Sequence, residues 1–474
     1  MAEALDTMPR SSRGLDPDPS RRASTERLLG RAGLLGRWDA TAVLTGYAML
    51  LLLIPATQTI SSLGGLGTPA TIYSLLALLW FAAARLTGRL PAQAESAAPR
   101  RAMCVLAASI LLAYAAAAGR QISFTELQSA DRDLILLASW AGLVAIASTG
   151  IRDTASLDRL LRRVVVGATI VAAVGTVEFA TTVNLVRFVV IPGLQTNIVD
   201  TGTQLRSSFT RPMATTSQPL EYGAVLAMVL PFALQQAFDP ARRSPRSFLR
   251  RWGPVLLIAM TLPLTVSRTA MIGIAVVLLF LVPTWKPRRR RPAYAVILLG
   301  TVAIKALVPG LLGTIFALFT SSLGNSDSST QARTQDYAGV APYIAQRPWF
   351  GRGFGTFIPA LFRYTDNTYL LALVEMGAFG VFALLVLYLT GIHCGRAGRR
   401  LHTEEPKREL GQTFAAAFGV ALVVSATFDT LTFPMFSGLM FLFLGCAGAY
   451  LGIARREARD AAGQSGPGLE LEPS

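Results

Sequence analysis

The sequence predicts an all-α polytopic membrane protein of about twelve transmembrane helices, with both termini cytoplasmic. Three observations lead there. Hydrophobic residues make up 52% of the 474 positions and mean hydropathy is +0.46. Only 15% of residues are charged, where a soluble chain carries about a quarter. Apolar segments recur at close to the ~20 residues that cross a bilayer, and the basic residues gather in alternate connections between them.

By the length criterion the spans fall at 39–58, 69–86, 102–118, 133–149, 163–181, 219–237, 253–267, 269–284, 293–309, 368–391, 411–428 and 434–454. Residues 1–37 are polar and arginine-rich, so the first apolar run reads as a full span and not as a cleavable signal. That tail and residues 455–474 have compositions that favour disorder. The intervening 38–454 form one membrane domain. Two connections exceed what a link requires, 182–218 and 310–367, and connections of that length are generally functional or disordered. Within the second, "SLGNSDSSTQAR" (322–333) reads as flexible, whereas "VAPYIAQRPWFGRGFGTF" mixes aromatics with glycines and is expected to fold against the membrane domain.

The loop charges sort by side. "RLTGRLPAQAESAAPRR", "RDTASLDRLLRR", "ARRSPRSFLRRW", "WKPRRRR" and "CGRAGRRLHTEEPKRE" alternate with poorly charged connections and, with both tails, hold most of the 44 Lys and Arg. The positive-inside rule puts this set in the cytoplasm. The opposite set holds Arg120, Arg132, Arg187, Arg206, Arg211, Arg268, Arg333, Arg347, Arg352 and Arg363, and Lys305 lies within a span. The net charge of +16 is thereby topological, and no nucleic-acid partner is expected. Cys104, Cys394 and Cys446 lack metal-type spacing, so neither a disulfide framework nor a zinc site is expected. No metal and no cofactor is invoked.

The outward arginines raise the chemical question. In "TLPLTVSRTAMIGIAVVLLF" (261–280) Ser267-Arg268 interrupts two apolar runs. A guanidinium does not shed its proton, and at mid-bilayer it costs about 2.5–3.5 kcal/mol. Arg268 therefore turns at the outer surface. Both flanking segments are short, so either the turn is recessed below the outer headgroups or the helices stand almost upright. Two readings stand: an arginine snorkelling to headgroups, or one lining a polar cavity and clamping a phosphate. In "RPMATTSQPLEYG" (211–223), Arg211 is followed by Thr215, Thr216, Ser217 and Gln218 at the start of a span, whose backbone N–H groups and dipole favour an anion. Two fixed cations and a helix start suggest a diphosphate; an ordinary polar loop is the alternative. In "TDNTYL", Asp366-Asn367 stands where the long loop meets the next span. Asp366 serves there either as a helix cap or as a base for a sugar hydroxyl. His393 and His402 fall in a cytoplasmic loop, so an outward base comes from Asp366, Asp336, Glu221 or Glu375, with Asp366 best placed. "GRGFG" is weak as a phosphate loop, because no strand precedes it.

Taken in order, these segments resemble the O-antigen ligase and O-antigen polymerase superfamily of bacterial membrane glycosyltransferases. The likeness lies in Arg211–Gly223, in Ser267-Arg268 between two spans, and in a late outer loop carrying Arg333, "RPWFGRGFGTF" and "DNTYLLALVEMGAFG". It covers roughly 205–390. The resemblance implies a polyprenyl-diphosphate-linked glycan donor reached from the outer leaflet of the cytoplasmic membrane. It also implies diphosphate binding by Arg211 and Arg268, and metal-independent transfer to a glycan, lipid or wall-polymer acceptor. Many such ligases have a His-Asn pair where this chain has Asp366-Asn367, and Gln218 stands where relatives often carry histidine. On this reading Asp366, Arg268 and Arg211 are catalytic, and Asn367, Arg333, Gln218, Ser267, Trp349 and Tyr364 bind substrate. Ligase and polymerase, the sugars and the oligomeric state are not separable here. The rival class is a secondary transporter or lipid-linked-substrate flippase, against which stands the lack of two matching halves with broken helices.

Overall fold

The computed structural model describes residues 39–87, 96–196, 205–206, 209–239, 248–323 and 328–464. The predicted tail at 1–37 and the last residues of the chain lie outside these. The fold is helical. In chain order the helices are α1 (Ala40–Leu53), α2 (Pro69–Leu86), α3 (Ala98–Ala118), α4 (Phe124–Gly150), α5 (Thr154–Thr181), α6 (Pro219–Phe238), α7 (Phe248–Leu264) and α8 (Arg268–Leu281). They continue with α9 (Pro287–Leu307), α10 (Leu311–Leu323), α11 (Ser328–Gln346), α12 (Thr368–Glu375), α13 (Gly377–Leu401), α14 (Glu405–Val424) and α15 (Pro434–Gln464).

Among the described residues seven helices are long and apolar enough to cross a membrane: α2 to α6, α13 and α15. The shorter apolar helices are α1 and the segment Arg268–Thr284. Burial separates their roles. The apolar window of α15 is 100% buried and that of α6 78%, against 28% for α2. A helix apolar on every face and enclosed by others is a core helix, and α15 fills that place with Phe436, Leu439, Phe441 and Leu444, none more than 1% exposed. It packs against α4 and α13, while α14 packs against α13, α6 and α8. Trp140 of α4 stacks on Phe441 of α15. On α2 the leucines at 76 and 79 are 60% and 67% exposed, as suits a face turned to lipid rather than protein.

Three features depart from a plain succession of spans. The predicted span 368–391 is broken at Met376-Gly377 into α12 and α13. Gly377 has φ +68, and a Cβ there would lie 2.3 Å from the Trp349 carbonyl carbon, so only glycine lets the two backbones touch. The predicted loop 310–367 carries two helices, α10 and α11, although 324–327 lie outside the described residues. Finally, α15 continues past 454 to Gln464.

Short pieces close one end of the bundle. Gln58–Thr59 (β1) pairs antiparallel with Gln195–Thr196 (β2), and Leu205–Arg206 (β3) with Phe209–Thr210 (β4). A 3-10 segment, Ser61–Gly67, follows β1. At the same end Ala56 N donates to Thr215 O, and Gln58 Nε2 to Val189 O. The connections rich in charge meet elsewhere: Lys286 pairs with Glu405 at 2.8 Å, Arg289 with Glu409, and His402 Nδ1 lies 3.2 Å from Glu457.

Candidate active site

Buried carboxylates build the floor of the site by holding backbone N–H groups. Glu178, near the end of α5 and 2% exposed, accepts from Leu185 N at 3.1 Å, Met213 N at 3.1 Å and Ala214 N at 2.7 Å. This fixes the loop before α6, where Ala214 takes the left-handed region at φ +45. Thr215 Oγ1 donates to Leu52 O at 2.7 Å, which ties the loop to α1. Arg211, at its start, donates from Nε to Thr265 O at 3.2 Å.

Thr265 belongs to the turn joining α7 to α8, so Arg211 meets the segment that bears Ser267-Arg268. Val266 has φ +47 and Ser267 is the N-cap residue of α8, with Arg268 the first helical position. The Ser267 hydroxyl makes no cap bond. It is buried and has no hydrogen-bond partner among the described residues. A buried unpartnered hydroxyl at a helix N-terminus is costly and is the position where an anion finds donors and a favourable dipole.

The loop between α14 and α15 gathers the remaining segments. Thr269 Oγ1 donates to Thr427 Oγ1 at 2.9 Å. Thr368 N donates to Ser425 O at 2.9 Å and Thr368 Oγ1 to Phe428 O at 2.9 Å, while Thr430 N donates back to Thr368 Oγ1 at 2.8 Å. The "SRT" turn and the "DNT" turn are thus docked on one loop, although about a hundred residues separate them in the chain. Asn367 is the N-cap of α12: its Oδ1 accepts from Tyr369 N at 2.9 Å and Leu370 N at 3.2 Å, and its Nδ2 donates to the Tyr337 hydroxyl at 3.2 Å. The capping job that the sequence offered to Asp366 falls to its neighbour, and Asp366 itself is exposed. Trp349 and Tyr364 are 67% and 76% exposed. Gln218 is the exposed N-cap residue of α6, with no side-chain cap bond. Arg333 lies on α11 with its side chain outside the described residues, as does Asp336.

Two other candidate bases have structural partners. Glu221, fully buried, accepts from Ser217 N at 2.8 Å, Met435 N at 2.8 Å and Phe436 N at 3.1 Å, joining the Arg211 loop to the first turn of α15. Glu375 accepts from Phe357 N at 3.0 Å and holds the glycine-rich segment. Gly351 at φ +69 lies against the backbone of Glu375, so "GRGFG" packs against the α12–α13 break. Several arginines of the weakly charged connections serve the same segment. Arg347 Nη1 donates to Ala116 O at 2.7 Å, Arg120 Nε to Arg352 O at 3.1 Å, and Arg120 pairs with Glu126 at 2.7 Å. Arg352 also lies over the rings of Tyr343 and Phe362.

One further titratable group is not marked by the sequence pattern. Asp429, in "TFDTLTF" between α14 and α15, accepts from the Thr432 hydroxyl through Oδ2, while Oδ1 is buried with no hydrogen-bond partner among the described residues. Burial, aided by the negative charge of Asp133, pushes its carboxyl up to about 6. A perturbed carboxyl beside convergent polar turns is what marks functional sites in general. Its signal in the sequence was only an acid in a short connection next to two threonines. Among the described residues no three His, Cys, Asp or Glu side chains are placed to hold one metal ion.

The fold and its apolar helices define a multi-pass membrane protein. Residues 253–385, from α7 into α13, match the O-antigen ligase family model. That match supports membership of the O-antigen ligase superfamily. It takes in Ser267-Arg268, the late loop and Asp366-Asn367, while the Arg211 segment precedes it. A comparison with curated proteins gives no match.

Proposed function

We propose that this protein transfers or polymerises glycan from a polyprenyl-diphosphate-linked donor at the outer face of the cytoplasmic membrane, in assembly of envelope polysaccharide. The observation that carries the reading is the meeting of the Arg211 loop with the Ser267-Arg268 turn, at a helix N-terminus whose capping hydroxyl is buried without a partner. The family match supports cell-envelope glycan ligation or polymerisation. The basic connections face the cytoplasm on this reading, and the twelve-span order places the 211, 267 and 366 turns outside.

Chemically, Arg211 and Arg268 hold the diphosphate and stabilise the charge that grows as it departs. The donor's anomeric carbon loses its bond to the diphosphate oxygen and gains one to the acceptor hydroxyl oxygen. Asp366 takes the acceptor's proton. Asn367, by capping α12, sets the position of Asp366 next to it. Ser267 donates to the diphosphate, Gln218 and Arg333 contact the donor, and Trp349 and Tyr364 stack on sugar faces of donor or acceptor.

The test is a deletion strain complemented with wild type, Arg268→Ala or Arg211→Ala and assayed for envelope glycans. Wild type restores the polymer, and each variant lowers product by about a hundredfold or more at normal membrane abundance. Wild-type product from either variant removes the diphosphate clamp. Single repeats accumulating in the deletion strain indicate a polymerase, and full-length chains held on the carrier indicate a ligase.

A further inference from the structure

A cavity of about 210 Å³ opens at the same end of the bundle, between α1, α2, α4 and the start of α15. Neither Arg211, Arg268 nor Asp366 lines it. Its rim is exposed at Gly65, Arg132 and Thr432, and its floor is buried at Tyr47, Thr71, Ser139, Trp140 and Ser437. The volume equals about seven waters and falls short of the roughly 300 Å³ at which drug-sized pockets begin. It suits one small ring.

The chemistry of the wall is hydroxylic. Tyr47, Thr57, Thr59, Thr71, Ser217 and Thr432 all contribute hydroxyls. Some are engaged within the protein, as when Thr71 pairs with Thr68 at 2.7 Å. Tyr47 and Thr59, 4% exposed each, make no side-chain hydrogen bond to another described residue and are free to bond a guest. The one charged lining residue, Arg132, is matched by Asp133 at 3.2 Å. The wall therefore carries no uncompensated charge, which disfavours a phosphate or a carboxylate, and the lining holds no acid to serve as a base. Leu51, Leu136, Trp140 and Leu431 supply apolar surface for the C–H faces of a ring. Ser217 joins this cavity to the Arg211 loop, and Thr432 joins it to the loop that docks the other two turns.

From these observations we infer that the cavity is a binding subsite for one uncharged sugar ring, separate from the place where the anionic headgroup sits. The inference rests on the proposed glycan chemistry and names a feature of its substrate: a neutral residue, held by Tyr47 and Thr59 through hydroxyl-to-hydroxyl bonds. It assigns binding and no bond-making to these side chains.

The experiment uses the full-length protein in detergent and saturation-transfer NMR with a panel of methyl glycosides of neutral hexoses, deoxyhexoses and N-acetylhexosamines. At least one glycoside receives saturation from wild type and from Arg268→Ala. The isosteric double variant Tyr47→Phe/Thr59→Val binds it about thirtyfold more weakly, as expected for two ordinary hydrogen bonds lost. Thr59→Ser, which keeps the hydroxyl, retains binding. A melting temperature like that of wild type shows that the double variant is folded. Absence of any glycoside signal sensitive to the double variant overturns the subsite, as does equal binding by inorganic pyrophosphate in competition. Complementation separates this failure from that of the wider reading. If wild type restores envelope glycan and the double variant does so equally well, the subsite alone falls; if wild type restores none, the glycan chemistry itself falls.

Discussion

Glu178 offers a direct test of how the Arg211 loop is held. Its Oε2 receives two N–H groups, from Met213 and Ala214, and its Oε1 receives one from Leu185. Met213 and Ala214 are 6% and 0% exposed, so water cannot replace the carboxylate there. Leu185 is half-buried, and water can. In Glu178→Ala two donors are left stranded, at about 1–3 kcal/mol each, for a loss of about 2–6 kcal/mol. Glu178→Gln is milder. Its amide oxygen can take the Oε2 position and accept both buried N–H groups, leaving only the wetter Leu185 donor facing an NH₂ group, at a cost of about 1 kcal/mol. The assay is thermal melting in detergent together with amide hydrogen exchange across 209–217. The expected order of stability is wild type, Gln, then Ala, with exchange at 213 and 214 accelerating in the alanine variant. Glycan product should fall in the same order, because Arg211 is carried by the loop. An alanine variant that melts with wild type and keeps slow exchange at 213 and 214 refutes the account.

Two further outcomes follow from the geometry. With its carboxyl raised to about 6 from a usual 3.8, Asp429 contributes stability that is present below the usual value and lost as pH rises through about 6; the loss is about 3 kcal/mol. Asp429→Asn should therefore melt higher than wild type at pH 7, with the difference closing by pH 4, and parallel pH profiles would show that the carboxyl is not perturbed. Gly377→Ala forces a side chain into the left-handed region and against the Trp349 carbonyl, costing at least about 2 kcal/mol. Circular dichroism melts should show it, and an alanine variant as stable as wild type would mean the α12–α13 break is not tightly packed.

Much of the scaffold was legible because a bilayer imposes a local rule. A stretch must be apolar over about 20 residues, and each of the twelve apolar stretches contains a helix. Even so, α1 stops at Leu53, short of the predicted 58, and seven helices among the described residues are long and apolar enough to cross a membrane. Arg211, Ser267-Arg268 and Asp366-Asn367 were legible for a related reason, since polar residues at the edge of apolar runs stand out. Which of them meet was not. The docking of Thr269 and Thr368 onto one loop at 425–430 is a long-range event, and no local pattern encodes it. One carboxylate misled for the same reason. Glu221 looks like a free acid in the sequence, yet it is occupied by the nearby Ser217 N–H and by the distant Met435 and Phe436 N–H groups, whereas Glu375, two turns into its span, holds the Phe357 N–H.

The sequence by itself determined the class of protein, the succession of apolar helices and the polar turns worth attention, because hydropathy and charge act over one span at a time. Tertiary packing decided the rest. It put α15 at the centre, broke one span at Gly377, gave the helix cap to Asn367 instead of Asp366, and raised the carboxyl of Asp429. It also left a hydroxyl-lined hollow beside the Arg211 loop. Each of these depends on which distant atoms exclude water from a given group, and that is set only when the helices close on one another.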